Sequence, residues 1–376
     1  MSENCRNNAL RGGEMSISIV IVNYNGRELL DACLTETVAQ ATAQDAEVIL
    51  VDNASTDGSV EHVRERFPTV HIVRNARNEG FAGGCNAGVR AASGDTLVLL
   101  NNDAVPDPGW LRELVDALQP EEVAIACSVI HDPRFPEAYA LGTGSLSVIG
   151  HPIPSVLEDH EHPFYGTGCS LAFKRSLFGE PFDPLYFAYY EDALLSWRAH
   201  LTGYRVARAV KSSVQHLGSV TALQQPSLAS FFNERNKLLT LLLAFQLGTL
   251  AKLMPLYLFD SLARLVEDVW LIAEDPRTSM ARAAPVVHRY ALVLRGLLWI
   301  CGNVGAISAR RRAIQRTRMV TDAAITPMLS GKIFDDHIQT RGHEIANSIS
   351  RRYCTAVGIV TAEASQTTAR NCQDSD

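Results

Sequence analysis

At 376 residues the chain is long enough for a full core and a second lobe. Its 47% hydrophobic and 20% charged residues are ordinary for a globular protein, and a formal net charge of -7 argues against broad nucleic-acid binding, which needs a basic surface. Eight cysteines, none at C-x-x-C spacing, fit neither a zinc ribbon nor a disulfide scaffold and read as reduced thiols.

Residues 1–15 are mostly polar, lack the apolar stretch of a secretory leader and are expected to be flexible. Regular alternation then begins. Ile17 to Val22 reads as a strand, Arg27 to Gln40 as a helix, Glu47 to Val51 as a strand and Ser59 to Arg66 as a helix. Val70 to Val73, Phe81 to Ala92 and Thr96 to Leu100 repeat the pattern. The strands end near Val22, Val51, Val73 and Leu100, 29, 22 and 27 residues apart. Those βαβ-sized intervals predict a parallel sheet, and the unbroken apolar strands predict helices on both faces. All strand C-termini of such a sheet share one edge, where ligands bind. The residues expected there are Asn23, Asp52 and Asn53, Arg74 and Asn75, and Asn101-Asn102-Asp103. Four strands would thus deliver polar groups, two of them carrying carboxylates, to one crevice.

From Glu121 to His216 the pattern is less regular. It holds the aromatic run Tyr186 to Tyr190, a predicted helix over Glu191 to Leu201 and a predicted strand over Tyr204 to Ala209. Trp110 and Trp197 read as core residues rather than sugar platforms. Residues 222–331 form an apolar helical lobe whose main runs, Leu238 to Ala251 and Leu292 to Cys301, fall short of the ~18 uninterrupted residues of a spanning helix. Arg310-Arg311-Arg312, Arg316 and Arg318 follow. A buried lobe is the plainer reading; helices lying in a membrane interface beside an arginine cluster are the sharper one. Residues 332–376 are expected to be mostly a flexible tail.

No G-x-G-x-x-G follows the first strand and no P-loop is present, so dinucleotide and P-loop readings lose their main support. What the chain does carry is an ordered series. Val22-Asn23-Tyr24-Asn25 and Val51-Asp52-Asn53-Ala54-Ser55-Thr56-Asp57-Gly58-Ser59 come first. Asn78-Glu79-Gly80-Phe81-Ala82-Gly83-Gly84, Cys85-Asn86-Ala87-Gly88 and Leu100-Asn101-Asn102-Asp103 follow. Gly166-Thr167-Gly168, Tyr190-Glu191-Asp192 and His216-Leu217-Gly218-Ser219 complete it. In order and spacing this series resembles the family-2 glycosyltransferases of the GT-A fold, over about Ser16 to Leu239, and most closely rhamnosyltransferase-like enzymes of surface-polysaccharide assembly.

The resemblance implies an α/β, GT-A-like, mixed but mostly parallel sheet over 16–221, with the helical lobe behind it. It implies an inverting transfer of a hexose, rhamnose foremost, from a dTDP-, UDP- or GDP-linked donor to a hydroxyl of a glycan or polyprenyl-linked acceptor. The place would be the cytoplasm, at the inner face of the cell membrane. Asp52 would contact the base or ribose, with Asn23, Arg77, Asn78, Asn86, Asn102 and Arg235 near the nucleotide. Asp103 and His216 would hold Mg²⁺ or Mn²⁺, ions that suit hard oxygen ligands. Asp192 would be the general base, and Gly166, Thr167, Gly168 and Glu191 would border the acceptor. Asp57 reads instead as a helix cap. Two departures stand out. Asn101 replaces the first acid of the usual D-x-D, and Leu194 replaces a second aspartate after Asp192. They put metal affinity in question and leave a degenerate, glycan-binding scaffold as one alternative. A sugar-phosphate nucleotidyltransferase is another, though Asn23 to Gly26 stand where it needs a basic glycine-rich loop.

Overall fold

The computed structural model describes residues 16–132, 139–156, 163–216, 226–274, 279–334 and 341–365. Its first half alternates as predicted: β1 (Ile17–Asn23), α1 (Arg27–Ala43), β2 (Glu47–Asp52), α2 (Ser59–Arg66), β3 (His71–Arg74), α3 (Gly80–Ala91) and β4 (Thr96–Asn101). β1 pairs in parallel with both β2 and β4, and β2 with β3. The order β3-β2-β1-β4 therefore aligns all four C-termini, with Asn23 opposite Asp52 and Asp52 opposite Arg74.

Alternating residues of these strands face different cores. Ile19, Ile21, Leu50, Val98 and Leu100 bury on one side, Val20, Ile49, Val51, Leu97 and Leu99 on the other. That is why the strands read as continuous apolar runs. Helix α3 lies unusually close to the sheet. A Cβ on Gly88 would come within 2.2 Å of Val20 Cγ1, so only glycine permits the approach.

The second half is β5 (Ala104–Pro106), α4 (Trp110–Asp116), β6 (Val123–His131), β7 (Tyr139–Leu146), β8 (Pro152–Val156), β9 (Tyr165–Gly166), β10 (Ser170–Lys174), α5 (Arg175–Phe178), α6 (Glu191–Leu201) and β11 (Arg205–His216). β10 runs antiparallel between β4 and β6, and β11 joins β6 in parallel, so the sheet is mixed. β11 extends seven residues past the predicted strand end, through a register shift between Ala209 and Ser213, and so carries His216 beside Ala104. Trp110 and Trp197 are fully buried, as expected of core residues.

The helical lobe comprises α7 (Pro226–Ala244), α8 (Leu247–Glu274), α9 (Ser279–Gly302), α10 (Val304–Thr317), α11 (Asp322–Ile325), a 3-10 turn (Thr326–Met328) and α12 (Arg341–Ala356). The arginine cluster is divided. Arg311 and Arg318 turn inward and donate to the last carbonyls of α7, Leu242 O and Ala244 O, while Arg310, Arg312 and Arg316 stay exposed.

The expectation of a mostly flexible tail from 332 needs correction. α12 packs on α8, its Asn347 Oδ1 accepts the N–H groups of Ile333 and Phe334 at 2.9 Å, and Ala362 N donates to Leu329 O. Its buried face is built from Ala346, Asn347, Ser350 and Cys354, small or paired polar residues that give no hydrophobic signal in the sequence. Residues 366–376 lie outside the described part.

Candidate active site

One cavity of about 450 Å³ opens beyond the strand C-termini. Tyr24, Asn78, Asn101, Asn102 and Asp103 line it from the parallel half. Thr167, Gly168, His216 and the segment Phe187 to Asp192 line it from the second half, and Leu228, Phe232 and Asn233 of α7 close the remaining wall.

The strand ends are joined by neutral amides. Asn102 Nδ2 donates to Asn23 Oδ1 at 2.8 Å, and Asn23 Nδ2 to Ser55 Oγ at 3.3 Å. Asn75 Nδ2 donates to Asn53 Oδ1 at 2.7 Å, and Asn53 Nδ2 to Gly80 O at 2.9 Å. Such a ladder fixes loop positions without placing charge next to an anionic ligand. Asp57 accepts the N–H groups of Arg27 and Ser59 at 2.9 and 3.1 Å, satisfying the first turns of α1 and α2. Gly58, in the left-handed region, takes the cap position itself.

Asp103 and His216 meet at the cavity wall, with His216 Nε2 3.1 Å from Asp103 Oδ1. The two are near but not aligned as a hydrogen bond, and His216 Nε2 is buried without another partner. The amide oxygen of Asn101 is likewise buried and unsatisfied. Three orphaned or under-used donor atoms at one wall suit a divalent cation with mixed oxygen and imidazole ligands. With Asn101 neutral, Asp103 supplies the only formal negative charge among these three.

The opposite wall is under backbone strain. Phe187, Tyr189 and Tyr190 have φ of 58, 68 and 68°, in the left-handed region that non-glycine residues avoid. The segment is held from outside. Asn236 Nδ2 donates to Ala188 O at 2.8 Å and Tyr189 O at 2.7 Å, and Arg235 donates to Leu185 O at 2.8 Å. Tyr190 Oη donates to Gly150 O at 2.9 Å, and Ala82 N to Phe187 O at 3.0 Å.

The strained turn delivers Glu191 and Asp192 to the N-terminus of α6. Asp192 accepts Gly168 N–H at 2.9 Å and Ala193 N–H at 2.7 Å. Burial raises its pKa, and those two N–H groups pull it back. Glu191 is buried and its Oε2 has no partner. Burial first, and the adjacent Asp192 charge second, push its pKa well above the carboxylate range. Both carboxyls are thus pushed toward the protonated form, Asp192 the less so because two N–H groups stabilise its charge.

Several expected site residues sit elsewhere. Arg77 projects into solvent, its side chain 84% exposed and 3.5 Å from Glu79. Asn86 is buried beneath the site, exchanging hydrogen bonds with the backbone of Phe182 at 2.8 and 3.1 Å. Arg235 does not face the cavity; its guanidinium lies over Phe232 and Trp299 and clamps the strained turn. Asp52 and Asn23 are fully buried just behind the lining, and Asp52 accepts Ser55 N–H at 3.3 Å as an Asx-turn does. Gly166 is covered, its N–H directed at Ser196 Oγ. Leu217 to Ser219 lie outside the described residues. The apolar wall of Phe187, Leu228 and Phe232 was not expected. The aromatic run was its one visible signal, because α7 joins it only in three dimensions.

Residues 18–179 match the family described as glycosyl transferase family 2. The family match ends before Glu191, Asp192 and His216, which the fold adds to the same cavity. An uncharacterized glycosyltransferase of Nostoc sp. is 34% identical over 112 residues, 29% of this chain and 34% of that one. The chain spans about a third of the length of the first curated relatives it matches. An N-acetylglucosaminyl-diphospho-decaprenol L-rhamnosyltransferase of Mycobacterium tuberculosis is 28% identical over 233 residues, 53% of this chain and 75% of that one. Among solved structures, GalNAc-T7 with UDP, GalNAc and Mn²⁺ aligns with TM-score 0.50 at 17% identity, over 62% of this chain and 48% of that one. That alignment supports the GT-A-like architecture.

Proposed function

We propose that the chain is an inverting glycosyltransferase that moves a hexose from a nucleotide diphosphate sugar to a hydroxyl of a glycan or lipid-linked acceptor. The observation that carries the reading is the placement of Asp192: a carboxylate held by two N–H groups at a helix N-terminus, across one cavity from the Asp103–His216 pair. The acceptor oxygen attacks sugar C1, the bond from C1 to the phosphate oxygen breaks, and the nucleoside diphosphate leaves with the electron pair. Asp192 takes the acceptor proton. Glu191, buried beside it and without a hydrogen-bond partner for Oε2, borders the acceptor. Asp103, His216 and Asn101 would hold Mg²⁺ or Mn²⁺, which when bound stabilises charge on the departing diphosphate.

Rhamnose is the donor sugar we favour and a polyprenyl-diphosphate glycan the acceptor. The name of the mycobacterial relative supports both. Work on such an acceptor belongs in the assembly of cell-surface polysaccharide, on the cytoplasmic side of the membrane. The test is a panel of dTDP-, UDP- and GDP-sugars with Mn²⁺ or Mg²⁺, read first by melting temperature and then by turnover on a polyprenyl-linked acceptor. One donor should raise the melting temperature in a metal-dependent way. No shift with any donor, and no turnover, would overturn the proposal.

A further inference from the structure

Helix α8 buries Leu250, Leu253 and Leu256 in its first half but from Leu258 onward exposes an apolar face to water. Leu258, Leu262, Leu265, Val266, Val269 and Trp270 recur at helical spacing on one face and are 37 to 67% exposed. The charges of the same turns are paired with neighbouring elements, Asp260 and Asp268 largely buried, Arg264 and Glu267 about a third exposed. Asp260, 1% exposed, holds His151 at 2.8 Å and Arg264 at 2.9 Å. Glu267 holds His343 at 2.8 Å, and Asp268 pairs with Arg289 and accepts Tyr290 Oη at 3.0 Å. The neighbouring helix α9 adds Leu294, Leu297 and Leu298 to the exposed apolar surface. Exposed apolar side chains on two packed helices, with Arg295 an exposed charge among those of α9, mark an interaction surface.

We infer that the α8–α9 face seats this chain on an anionic lipid surface, lying in the headgroup boundary rather than crossing the bilayer. Three observations choose lipid and this orientation. First, no single helix among the described residues is long and apolar enough to span. Only α9 and α10 taken together are, and they are bent by 75°. A span through that elbow would bury Arg310, Arg311, Arg312 and Arg316. Second, α10 exposes Arg312 and Arg316, with Arg310 half exposed beside Asp183, on a protein whose net charge is -7. That local concentration of cations complements anionic headgroups, whereas two copies meeting through it would repel. Third, Trp270 is 59% exposed on the same face, and tryptophan suits a boundary between apolar and wet surroundings. α9 packs along α7, whose Leu228 and Phe232 line the cavity, so the lipid-facing surface and the site share a supporting helix.

The inference stands without any turnover, so it can fail or hold apart from the proposed activity. Co-sedimentation of the full chain should be strong with phosphatidylcholine vesicles carrying about one third phosphatidylglycerol, and weak with phosphatidylcholine alone. The double variant Leu262→Glu, Val266→Glu should lose at least about tenfold in vesicle affinity while keeping its melting temperature, since both side chains are already exposed. Arg312→Ser and Arg316→Ser should each weaken binding about fivefold on anionic vesicles and have no effect on neutral ones. Vesicle-induced blue shift of tryptophan emission should disappear in Trp270→Phe. Equal or absent binding to both vesicle types would overturn the inference. So would a dimer in light scattering that the Leu262→Glu, Val266→Glu variant breaks, which would assign the face to a second copy.

Discussion

The two walls of the cavity are built by different means. On the wall formed by β1 to β4, each polar residue is delivered by the strand it ends, and parallel register alone aligns Asn23, Asp52 and Arg74. On the opposite wall no strand delivers Asp192. A turn with three left-handed non-glycine residues does so, held by side chains of α7 about 45 to 50 residues further along the chain. Register is cheap to specify locally, whereas strain persists only where surrounding structure over-determines it. The first wall is therefore robust and generic, and the second is where catalytic geometry is adjustable.

The largest expected effect separates the walls outright. Asp192→Asn should lower kcat by about 10²- to 10⁴-fold, because the proton acceptor is lost. Donor-induced stabilisation, which the proposal assigns to the other wall, should persist in a thermal-shift assay. Loss of both together would mean that the walls are not separable.

Asn236→Ala attacks the second wall through its clamp. Two buried carbonyls, Ala188 O and Tyr189 O, lose their donor. A destabilisation of about 1–3 kcal/mol is expected in denaturant melts. Of the kinetic constants, kcat should fall with little change in donor affinity. A variant with unaltered kcat would show that the turn holds its shape unaided.

Asn101→Asp sharpens the first wall. A second carboxylate beside Asp103 should tighten Mn²⁺ binding by about tenfold, worth ~1.4 kcal/mol. Isothermal titration of metal with and without donor measures it; unchanged affinity would place the ion away from Asn101.

The smallest effect is a pH signature. Glu191 has a folded-state pKa well above its ordinary 4.5, so the native state binds more protons than the unfolded chain above that value. Its favourable contribution is complete below pH 4.5 and is lost as pH rises toward its folded pKa. Glu191→Gln, which cannot ionise, should therefore gain melting temperature relative to the parent at pH 8 and not at pH 4. A parallel pair of stability curves would show that Glu191 is not held protonated.

Much of the first wall is legible in the amino-acid sequence. Apolar runs of βαβ spacing mark the four strands to within a residue or two, and the positions after them lie where a parallel sheet must put them. The misplacements share a cause. Arg235 reads as a phosphate partner because it is basic and near a motif, but its guanidinium is spent on the carbonyl of Leu185 and on aromatic rings. Asn86 reads as a nucleotide contact because helix α3 opens at the site, yet its place on that helix turns it down toward Phe182. α12 reads as tail because its buried face is made of small and paired polar groups.

By itself the sequence determined the parallel half-sheet and the edge its strand ends share, while the resemblance singled out Asp192 at the start of α6. The first two follow from periodicity and chain order, which are local. Tertiary structure alone decided which side chains face the cavity, that burial raises the pKa of both Glu191 and Asp192, and that α8 leaves Leu258, Leu262 and Val266 exposed. Those outcomes depend on burial and on partners distant in the chain, and neither is written in the spacing of any one segment.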